Sequence, residues 1–327
     1  MPSFIEEEIG RLRQMCIGCG KCSKVCPSHR HGGIDPMEIM IGSEDSLDMC
    51  ISCGCCSAVC RRTDPMAVIK DLIALKNGIH VSQTFHDTGY IMPRDVPESL
   101  PAPPWSEGGI RVVPGCIAAC RLPHIVYATA AGLASMGVEA SELQGNTCCL
   151  RPVQFREMWE FERNRARIDM RDRASGERLV TLCAGCTEEF AKSGISADHI
   201  IKLLHENMGS LPKTEHKMKV ALEPGCSAMD LADEMREVVS AMGYEVMDNG
   251  FGCCGKSTPL AKELMEERQK ECAGADVIVV ACPMCLMKYD AFPGGMPVVH
   301  ISELLAMAAG DSTALGYHTI PVPEKVR

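Results

Sequence analysis

The chain has 327 residues, which is long enough for two or three domains. Its content of 46% hydrophobic and 23% charged residues is typical of globular proteins. The net charge of −10 argues against nucleic acid as the main partner, because no basic field would attract a phosphate backbone. There is no apolar run of about eighteen residues, and the start MPSFIEEEIGRLRQ lacks the apolar core of a signal peptide. We therefore expect a cytoplasmic protein without a membrane span, in which the 21 cysteines bind metal instead of forming disulfides.

Two closely spaced cysteine runs follow a short amphipathic helix predicted at residues 1–15. Each run has the spacing C-x2-C-x2-C-x3-C. Two such runs are typical of bacterial ferredoxins with two [4Fe-4S] clusters, in which the fourth cysteine of each run binds the other cluster. The spacing predicts one cluster on Cys16, Cys19, Cys22 and Cys60, and another on Cys50, Cys53, Cys56 and Cys26.

Four-cysteine zinc sites are the alternative for these runs, and we favour iron because the same tight spacing occurs twice. Cys55 lies outside the spacing and has no predicted role. Each run leads into a helix start, where Asp35-Pro36 or Asp64-Pro65 places an N-cap acid before a proline at the first helical position. The sequence thus predicts a mostly helical first domain at residues 1–92.

A proline- and glycine-rich stretch at 93–109 predicts a linker, and beyond it short apolar runs alternate with amphipathic helices. The alternation passes twice through the same order. Strands alternating with helices predict a parallel α/β layer in each pass, with the functional residues at the carboxyl ends of the strands. We expect these two copies at 110–210 and 211–310, and a loosely ordered tail at 311–327.

Each copy carries five cysteines in one order: a single cysteine, an adjacent pair and a closing C-x2-C. An adjacent pair suits a tetrahedral zinc site poorly, because zinc ligand pairs usually leave about two to four residues between them. The repeated order therefore predicts a cage for a multi-iron cluster in each copy. The first set is Cys116, Cys148, Cys149, Cys183 and Cys186, and the second is Cys226, Cys253, Cys254, Cys282 and Cys285.

Several segments of the two copies resemble the cysteine-rich (CCG) domains of the heterodisulfide reductase catalytic subunit; they are VVPGC, GNTCCLRPVQF, LVTLCAGC, NGFGCCGK and VIVVACPMC. Residues 14–78 resemble the ferredoxin-like small subunit of that enzyme. A chain with both parts in this order is similar to the fused catalytic subunit of the membrane-type enzyme. The resemblance implies an α+β multidomain protein, with an N-terminal helical 2x[4Fe-4S] ferredoxin domain followed by two α/β CCG repeats.

In that family each complete five-cysteine motif holds a noncubane [4Fe-4S] cluster. The resemblance implies reduction of the coenzyme M–coenzyme B heterodisulfide of methanogenesis, or of a related disulfide, between two noncubane clusters. Two cubane clusters would deliver electrons from a flavin-containing subunit or a membrane cytochrome b subunit. Through such a partner the chain would lie at the cytoplasmic membrane.

The substrate of the family carries sulfonate, carboxylate and phosphate groups, whose recognition requires arginine or lysine. Arg121, Arg151 and Lys256 lie close to ligand cysteines and are candidate substrate contacts, with ordinary surface cations as the alternative. His199 and His300 stand at matching helix starts and are predicted to cap or pack instead of binding metal.

The main rival is a non-catalytic electron-transfer subunit of a flavin dehydrogenase, of the glycolate, lactate or glycerol-3-phosphate type, which shares the same plan. Two intact five-cysteine sets favour the enzyme. The shortened second copy favours the rival, and it has Ser227 where the family tends to flank the cysteine with histidine. The first doublet is followed by Leu150 instead of glycine, as also occurs in the first copy of heterodisulfide reductases. A zinc-stabilised scaffold is disfavoured because it would require our interpretation of every CCG cysteine to be wrong, and adjacent cysteines suit zinc poorly. Cys120 and Cys272 are expected to be buried free thiols.

Overall fold

A computed structural model describes residues 4–51, 53–77, 84–85, 88–145, 148–151, 160–250, 252–255 and 261–323, which include all 21 cysteines. The chain divides into two compact units. The first combines residues 1–92 with 150–169, and the second combines 93–149 with 170–327.

The first unit is helical around its cysteine runs, as predicted. Ile5, Ile9 and Leu12 form the buried face of its first helix and pack into an apolar core with the following helices. The helices are α1 (Phe4–Gln14), α2 (Lys21–Val25), α3 (Pro27–Arg30), α4 (Pro36–Ile41), α5 (Cys55–Val59) and α6 (Pro65–Asn77), with a 3-10 turn at Leu47–Met49.

A repeated serine–aspartate contact fixes the starts of α4 and α6. The hydroxyl of Ser23 donates to Asp35, which accepts the amide of Met37 at 2.9 Å. The hydroxyl of Ser57 likewise donates to Asp64. Because each serine directly follows the third cysteine of a run, the predicted N-caps also tie each run to its helix.

The second unit contains both copies of the α/β pattern, except for residues 150–169 of the first copy, which belong to the first unit. The first copy has β1 (Ile110–Val113), α7 (Gly115–Arg121), α8 (Pro123–Ser135), β2 (Ala140–Glu142), α9 (Glu160–Arg173), β3 (Leu179–Thr181), α10 (Ala184–Lys192), β4 (Asp198–His199) and α11 (Ile200–Glu206). The second has β5 (Lys219–Glu223), α12 (Ala232–Ala241), β6 (Glu245–Val246), α13 (Ala261–Glu271), β7 (Val277–Val280), α14 (Pro283–Asp290), β8 (Val298–His300) and α15 (Ile301–Ala308).

Each copy forms one four-stranded parallel sheet, and the two sheets have equivalent orders, β2-β1-β3-β4 and β6-β5-β7-β8. The register pairs Val112 with Val180 in the first sheet and Leu222 with Val279 in the second. All four residues are fully buried, which explains why the strands read as continuous apolar runs. The predicted α+β organisation, with a parallel layer in each copy, is confirmed.

The two copies pack through reciprocal helix pairs. Helix α8 of the first copy lies on α15 of the second, and α11 of the first lies on α12 of the second. The approach of α8 to α15 is so close that a Cβ at Gly132 would lie 2.5 Å from Leu305 Cδ2. No described helix is by itself long and apolar enough to cross a membrane, and α7 with α8 meets that test only as a pair bent by 104°.

The expectation of a loosely ordered tail is wrong for residues 311–323. A 3-10 helix at Thr313–Tyr317 buries Leu315, and the amide of Thr319 donates to Asp290 Oδ2 at 2.8 Å. The stretch 93–109 is irregular, as a linker should be, yet it is attached to the first sheet. There the amide of Ser106 donates to the Ala140 carbonyl at 2.9 Å.

Candidate metal centres

The cysteines of the first unit lie near the ends of α2 and α5. Cys22, Cys26 and Cys56 are buried, whereas Cys19 and Cys53 are exposed. Burial raises the pKa of Cys56 to about 12, with a smaller contribution from Cys50. The pKa of Cys55 is raised by a hydrogen bond with Cys53 and further by other groups, Cys26 among them. The fourth cysteine of the first run, Cys26, thus interacts electrostatically with the second run, and the crosswise pairing stays a prediction.

The five thiols of the first CCG copy form one connected group at the carboxyl edge of their sheet. Hydrogen bonds with Cys116 and then Cys149 raise the pKa of Cys148 well above its usual value. Cys149 and then Cys183 do the same to Cys186. Each sulfur in the set therefore has another sulfur of the set as a neighbour.

The second set is connected in the same way but is more open. The thiol of Cys285 lies 3.6 Å from Cys254 Sγ, and both are buried. Cys226 and Cys253 interact with each other and are both exposed, whereas their counterparts Cys116 and Cys148 are buried. The shorter second copy thus also gives solvent greater access to its cysteines.

The two sets meet at their closing pairs. Hydrogen bonds from Cys186 and then Cys282 lower the pKa of Cys183 well below its usual value. The interaction with Cys183 is in turn the largest contribution that raises the pKa of Cys282 to about 11. The first closing cysteine of one copy therefore faces the first closing cysteine of the other.

Glycines allow the backbone to approach the closing pairs. Gly115 (φ 77°) and Gly225 (φ 84°) each precede the first cysteine of a set. A Cβ would lie 2.8 Å from Cys186 Sγ at Gly115 and 3.4 Å from Cys285 Sγ at Gly225. A set of soft thiol sulfurs in mutual contact, with bare backbone beside them, fits an iron–sulfur cluster. None of the cysteines forms a disulfide.

The residue after each doublet adopts a left-handed conformation. In the second copy it is Gly255 (φ 66°) and in the first it is Leu150 (φ 61°), one of two described non-glycine residues with positive φ. A left-handed conformation costs a non-glycine residue about 1–2 kcal/mol. Leu150 is only 1% exposed, so apolar burial offsets this cost in the first copy.

Gly255→Ala is expected to destabilise the second site, by about 1–2 kcal/mol from backbone strain alone. The clash adds to this, because the new Cβ would lie 2.7 Å from Ala261 Cα. Thermal unfolding and iron content of the anaerobic protein measure the effect. Gly209→Ala is the matched control, since a Cβ there meets no atom within 4 Å. Equal behaviour of the two variants would contradict the assigned geometry.

Two buried histidines join the copies reciprocally. His199 Nδ1 accepts the amide of Ile201, and its Nε2 donates to the Ala281 carbonyl of the other copy at 3.0 Å. His300 caps α15 in the same way and donates to the Leu182 carbonyl at 3.1 Å. Burial lowers the pKa of His199 to about 4, so the ring stays neutral. The predicted capping role is confirmed. Each ring also forms a hydrogen bond with the carbonyl of the residue directly before the closing C-x2-C pair of the other copy.

His300→Leu is expected to lower the free energy of unfolding by about 2–4 kcal/mol, because it removes a helix cap and leaves the Leu182 carbonyl unpaired. Denaturant unfolding of the iron-loaded protein measures this loss. The control is His205→Ala at an exposed pair with Glu237, where about 0–1 kcal/mol is expected. A loss no larger than the control's would show that the reciprocal contact does not stabilise the closing pair.

The role of the three candidate substrate cations stays a prediction. Arg121 is exposed at the end of α7, Arg151 is half-buried in the first unit, and Lys256 lies outside the described residues. The extra thiols are buried as expected. Burial raises the pKa of both Cys120 and Cys272 to about 12.

The sequence did not predict a buried ion pair that contacts the loop leading to the second doublet. Arg268 on α13 pairs with Glu223 at the end of β5 and donates to the Gly250 carbonyl. The Asn249 side chain bonds both the amide and the carbonyl of Leu222, at 3.1 and 3.0 Å. These partners lie on separate elements, and no spacing pattern in the sequence relates them.

Comparisons with known proteins agree with this architecture. Residues 8–61 match a 4Fe-4S dicluster domain, and residues 110–191 and 220–290 match a cysteine-rich domain, CCG. The chain belongs to the iron–sulfur proteins that join a 4Fe-4S dicluster domain to two CCG domains. Iron–sulfur clusters are therefore its cofactors.

Three relatives, each one subunit of a larger enzyme, extend this class assignment. The chain is 28% identical over 266 residues to a subunit of the ferredoxin/F(420)H(2)-dependent CoB-CoM heterodisulfide reductase of Methanosarcina acetivorans, covering 61% of this chain and 88% of the relative. It is 26% identical, with the same coverage, to a subunit of the ferredoxin:CoB-CoM heterodisulfide reductase of Methanosarcina mazei. It is 24% identical to a subunit of the fumarate reductase (CoM/CoB) of Methanothermobacter marburgensis, covering 90% of this chain and 61% of the relative. The resemblance to the heterodisulfide reductase family is confirmed, and an oxidoreductase-type role follows.

Proposed function

We propose that this chain reduces the coenzyme M–coenzyme B heterodisulfide, or a related disulfide, to two thiols. The observation that carries the proposal is the meeting of two complete five-cysteine sets at Cys183 and Cys282. The two relatives from CoB-CoM heterodisulfide reductases support the substrate class.

The reaction consumes two electrons and two protons for each disulfide, RSSR′ + 2e⁻ + 2H⁺ → RSH + R′SH. When bound, noncubane clusters on the two CCG sets and cubane clusters on the ferredoxin runs supply electron transfer and iron sites with affinity for sulfur. One disulfide would reach both CCG sets, and the interaction of Cys183 with Cys282 across the copies supports this arrangement. Arg121, Arg151 and Lys256 remain the proposed contacts for the anionic groups of the substrate.

The domains of this proposal are those expected from the sequence, with the ferredoxin domain at 1–92 and the CCG domains at 110–210 and 211–310. Electrons enter through the ferredoxin domain from a flavin-containing subunit or a membrane cytochrome b subunit. The relatives are subunits of larger enzymes, which supports such an assembly. A cytochrome partner would hold the chain at the cytoplasmic membrane.

An anaerobic assay with reduced viologen tests the proposal. Adding the heterodisulfide to iron-loaded protein is expected to oxidise the viologen and to release two thiols per disulfide, which a thiol reagent counts. The expected result includes loss of activity in Cys183→Ser. Fully loaded protein that leaves the heterodisulfide and related disulfides intact would overturn the proposal.

The second candidate is an electron-transfer subunit of a flavin dehydrogenase. The open second set favours it, because exposed Cys226 and Cys253 enclose a bound substrate less well than their buried counterparts. The fumarate reductase relative, which matches 90% of this chain, also supports it. Pre-reduced protein that reoxidises with a quinone analogue, and not with any disulfide, would favour this candidate.

A further inference from the structure

Three acid–base side chains that no cluster motif includes converge in the interior of the second unit. They are His124 on α8, Glu303 on α15 and His318 after the last 3-10 helix. The ligand atoms of all three lie within 4.8 Å of one another. Their side chains are 4%, 0% and 0% exposed. Residues from two distant parts of the chain thus point nitrogen and oxygen atoms at one buried position.

His124 has an unpaired ring nitrogen there. Its Nε2 is buried and forms no hydrogen bond within the described part of the chain. The nearest carboxylate oxygen, Glu303 Oε1, is 3.7 Å away, which is too far for a hydrogen bond. A buried ring nitrogen left unpaired costs about 1–3 kcal/mol, so the position calls for a further group.

The other two residues each place one ligand atom at this position and face a further polar group with the other. Glu303 Oε2 accepts the His300 amide at 2.7 Å, which leaves Oε1 for the shared position. His318 Nε2 forms a hydrogen bond of 3.0 Å with Glu303 Oε1, whose place a metal ion between the two atoms would take. His318 Nδ1 faces Asp290 Oδ1 at 3.6 Å, which is beyond hydrogen-bond distance. A histidine that binds metal through one ring nitrogen almost always presents the other to a carboxylate, carbonyl or water.

We propose that His124, Glu303 and His318 bind a zinc ion, separate from the cysteine sets. Two histidines and one glutamate form an established zinc ligand set, with nitrogen and oxygen at about 2.0–2.1 Å. Tetrahedral ligands at that distance lie about 3.3–3.4 Å apart. The observed separations of 3.0 and 3.7 Å lie on either side of this value. A water molecule completes the coordination.

The ion links α8 of the first copy, α15 of the second and the tail. Glu303 is the ligand that matters most for the cysteine sets, because it also caps α15 with His300, whose ring holds the Leu182 carbonyl before Cys183. The zinc site therefore stabilises the contact between the copies. It stands independently of the proposed disulfide reduction.

Metal analysis of the iron-loaded protein tests the site after incubation with zinc and removal of the excess. Zinc retained in the wild type at about one ion per chain, with nitrogen and oxygen ligands at about 2.0–2.1 Å by X-ray absorption, is the expected result. Zinc in vacant cysteine sites would instead show sulfur at about 2.3 Å. Absence of bound zinc, or sulfur ligation alone, overturns the proposal.

Variants assign the ligands. His124→Gln and His318→Gln are expected to lose the zinc while iron content stays unchanged, and Asp290→Asn is expected to weaken zinc binding about 10–100-fold. His205→Ala, at an exposed histidine–glutamate pair, is the matched control and should keep its zinc. If a ligand variant does not fold, a chelator replaces it, and the melting temperature of the wild type should fall upon zinc removal. Zinc that persists in folded His124→Gln, or an unchanged melting temperature after removal, overturns the assignment.

Discussion

Cys254→Ser is expected to remove about four irons per chain and to abolish disulfide reduction, and Cys149→Ser to do the same in the first copy. Both cysteines are buried, and each has another thiol of its own set as a neighbour. Cys254 lies 3.6 Å from Cys285 Sγ, and Cys149 interacts with Cys148 and Cys186. Serine keeps the shape but offers a hard, weakly acidic oxygen in place of a thiolate. Each loss should therefore be confined to one copy, with the ferredoxin clusters retained.

Buried cysteines outside the motifs provide the controls. Cys120 and Cys272 are both fully buried, so Cys120→Ala and Cys272→Ala disturb packing to a similar degree without removing a ligand. Both variants should keep the full iron content. Iron lost equally from Cys120→Ala and Cys149→Ser would contradict the ligand assignment. If Cys254→Ser alone keeps the same iron content as the wild type, Cys254 is not a cluster ligand, and the electron-transfer role is favoured.

Arg268→Met is expected to destabilise the second CCG copy by about 3–5 kcal/mol, because it leaves Glu223 as an uncompensated buried charge. The two side chains are 5% and 2% exposed. Arg268 also donates to the Gly250 carbonyl in the loop that leads to the second doublet. We expect this variant to melt at a lower temperature and to bind less iron in the second copy.

Arg178→Met is the matched control for that experiment. Arg178 pairs with Glu206 and Asp198, but its side chain is 46% exposed. Solvent screening limits such a pair to about 0–1 kcal/mol. If both arginine variants unfold at the same temperature, the buried pair does not support the doublet as described.

The sequence predicted those parts of the molecule that depend on local spacing. The period of the apolar residues indicated the helices and the buried strands, and the spacing of the cysteines indicated where ligands follow each strand. Asp35 and Asp64 marked helix starts because N-caps are local features. The grouping of the five thiols in each copy followed from the order of parallel strands, which brings their carboxyl ends to one edge.

Features that depend on long-range packing could not be predicted. The tail carries few apolar residues, and it is ordered because two of them, Leu315 and Val322, are buried by packing. The hydrogen bond of His199 to Ala281 joins residues of different copies, and the repeat alone does not say how the copies face each other. His124 and His318 lie almost two hundred residues apart, so no motif could relate them.

Iron analysis combined with thiol binding tests the central claim, that both five-cysteine sets hold clusters that face one substrate. The chain is purified without oxygen, its iron and acid-labile sulfide are measured, and it is oxidised with and without coenzyme M. The account predicts about sixteen irons per chain, from four four-iron clusters, and a paramagnetic signal that depends on the thiol. About eight irons in fully loaded protein, with no thiol-dependent signal, would leave only the ferredoxin clusters and contradict the account.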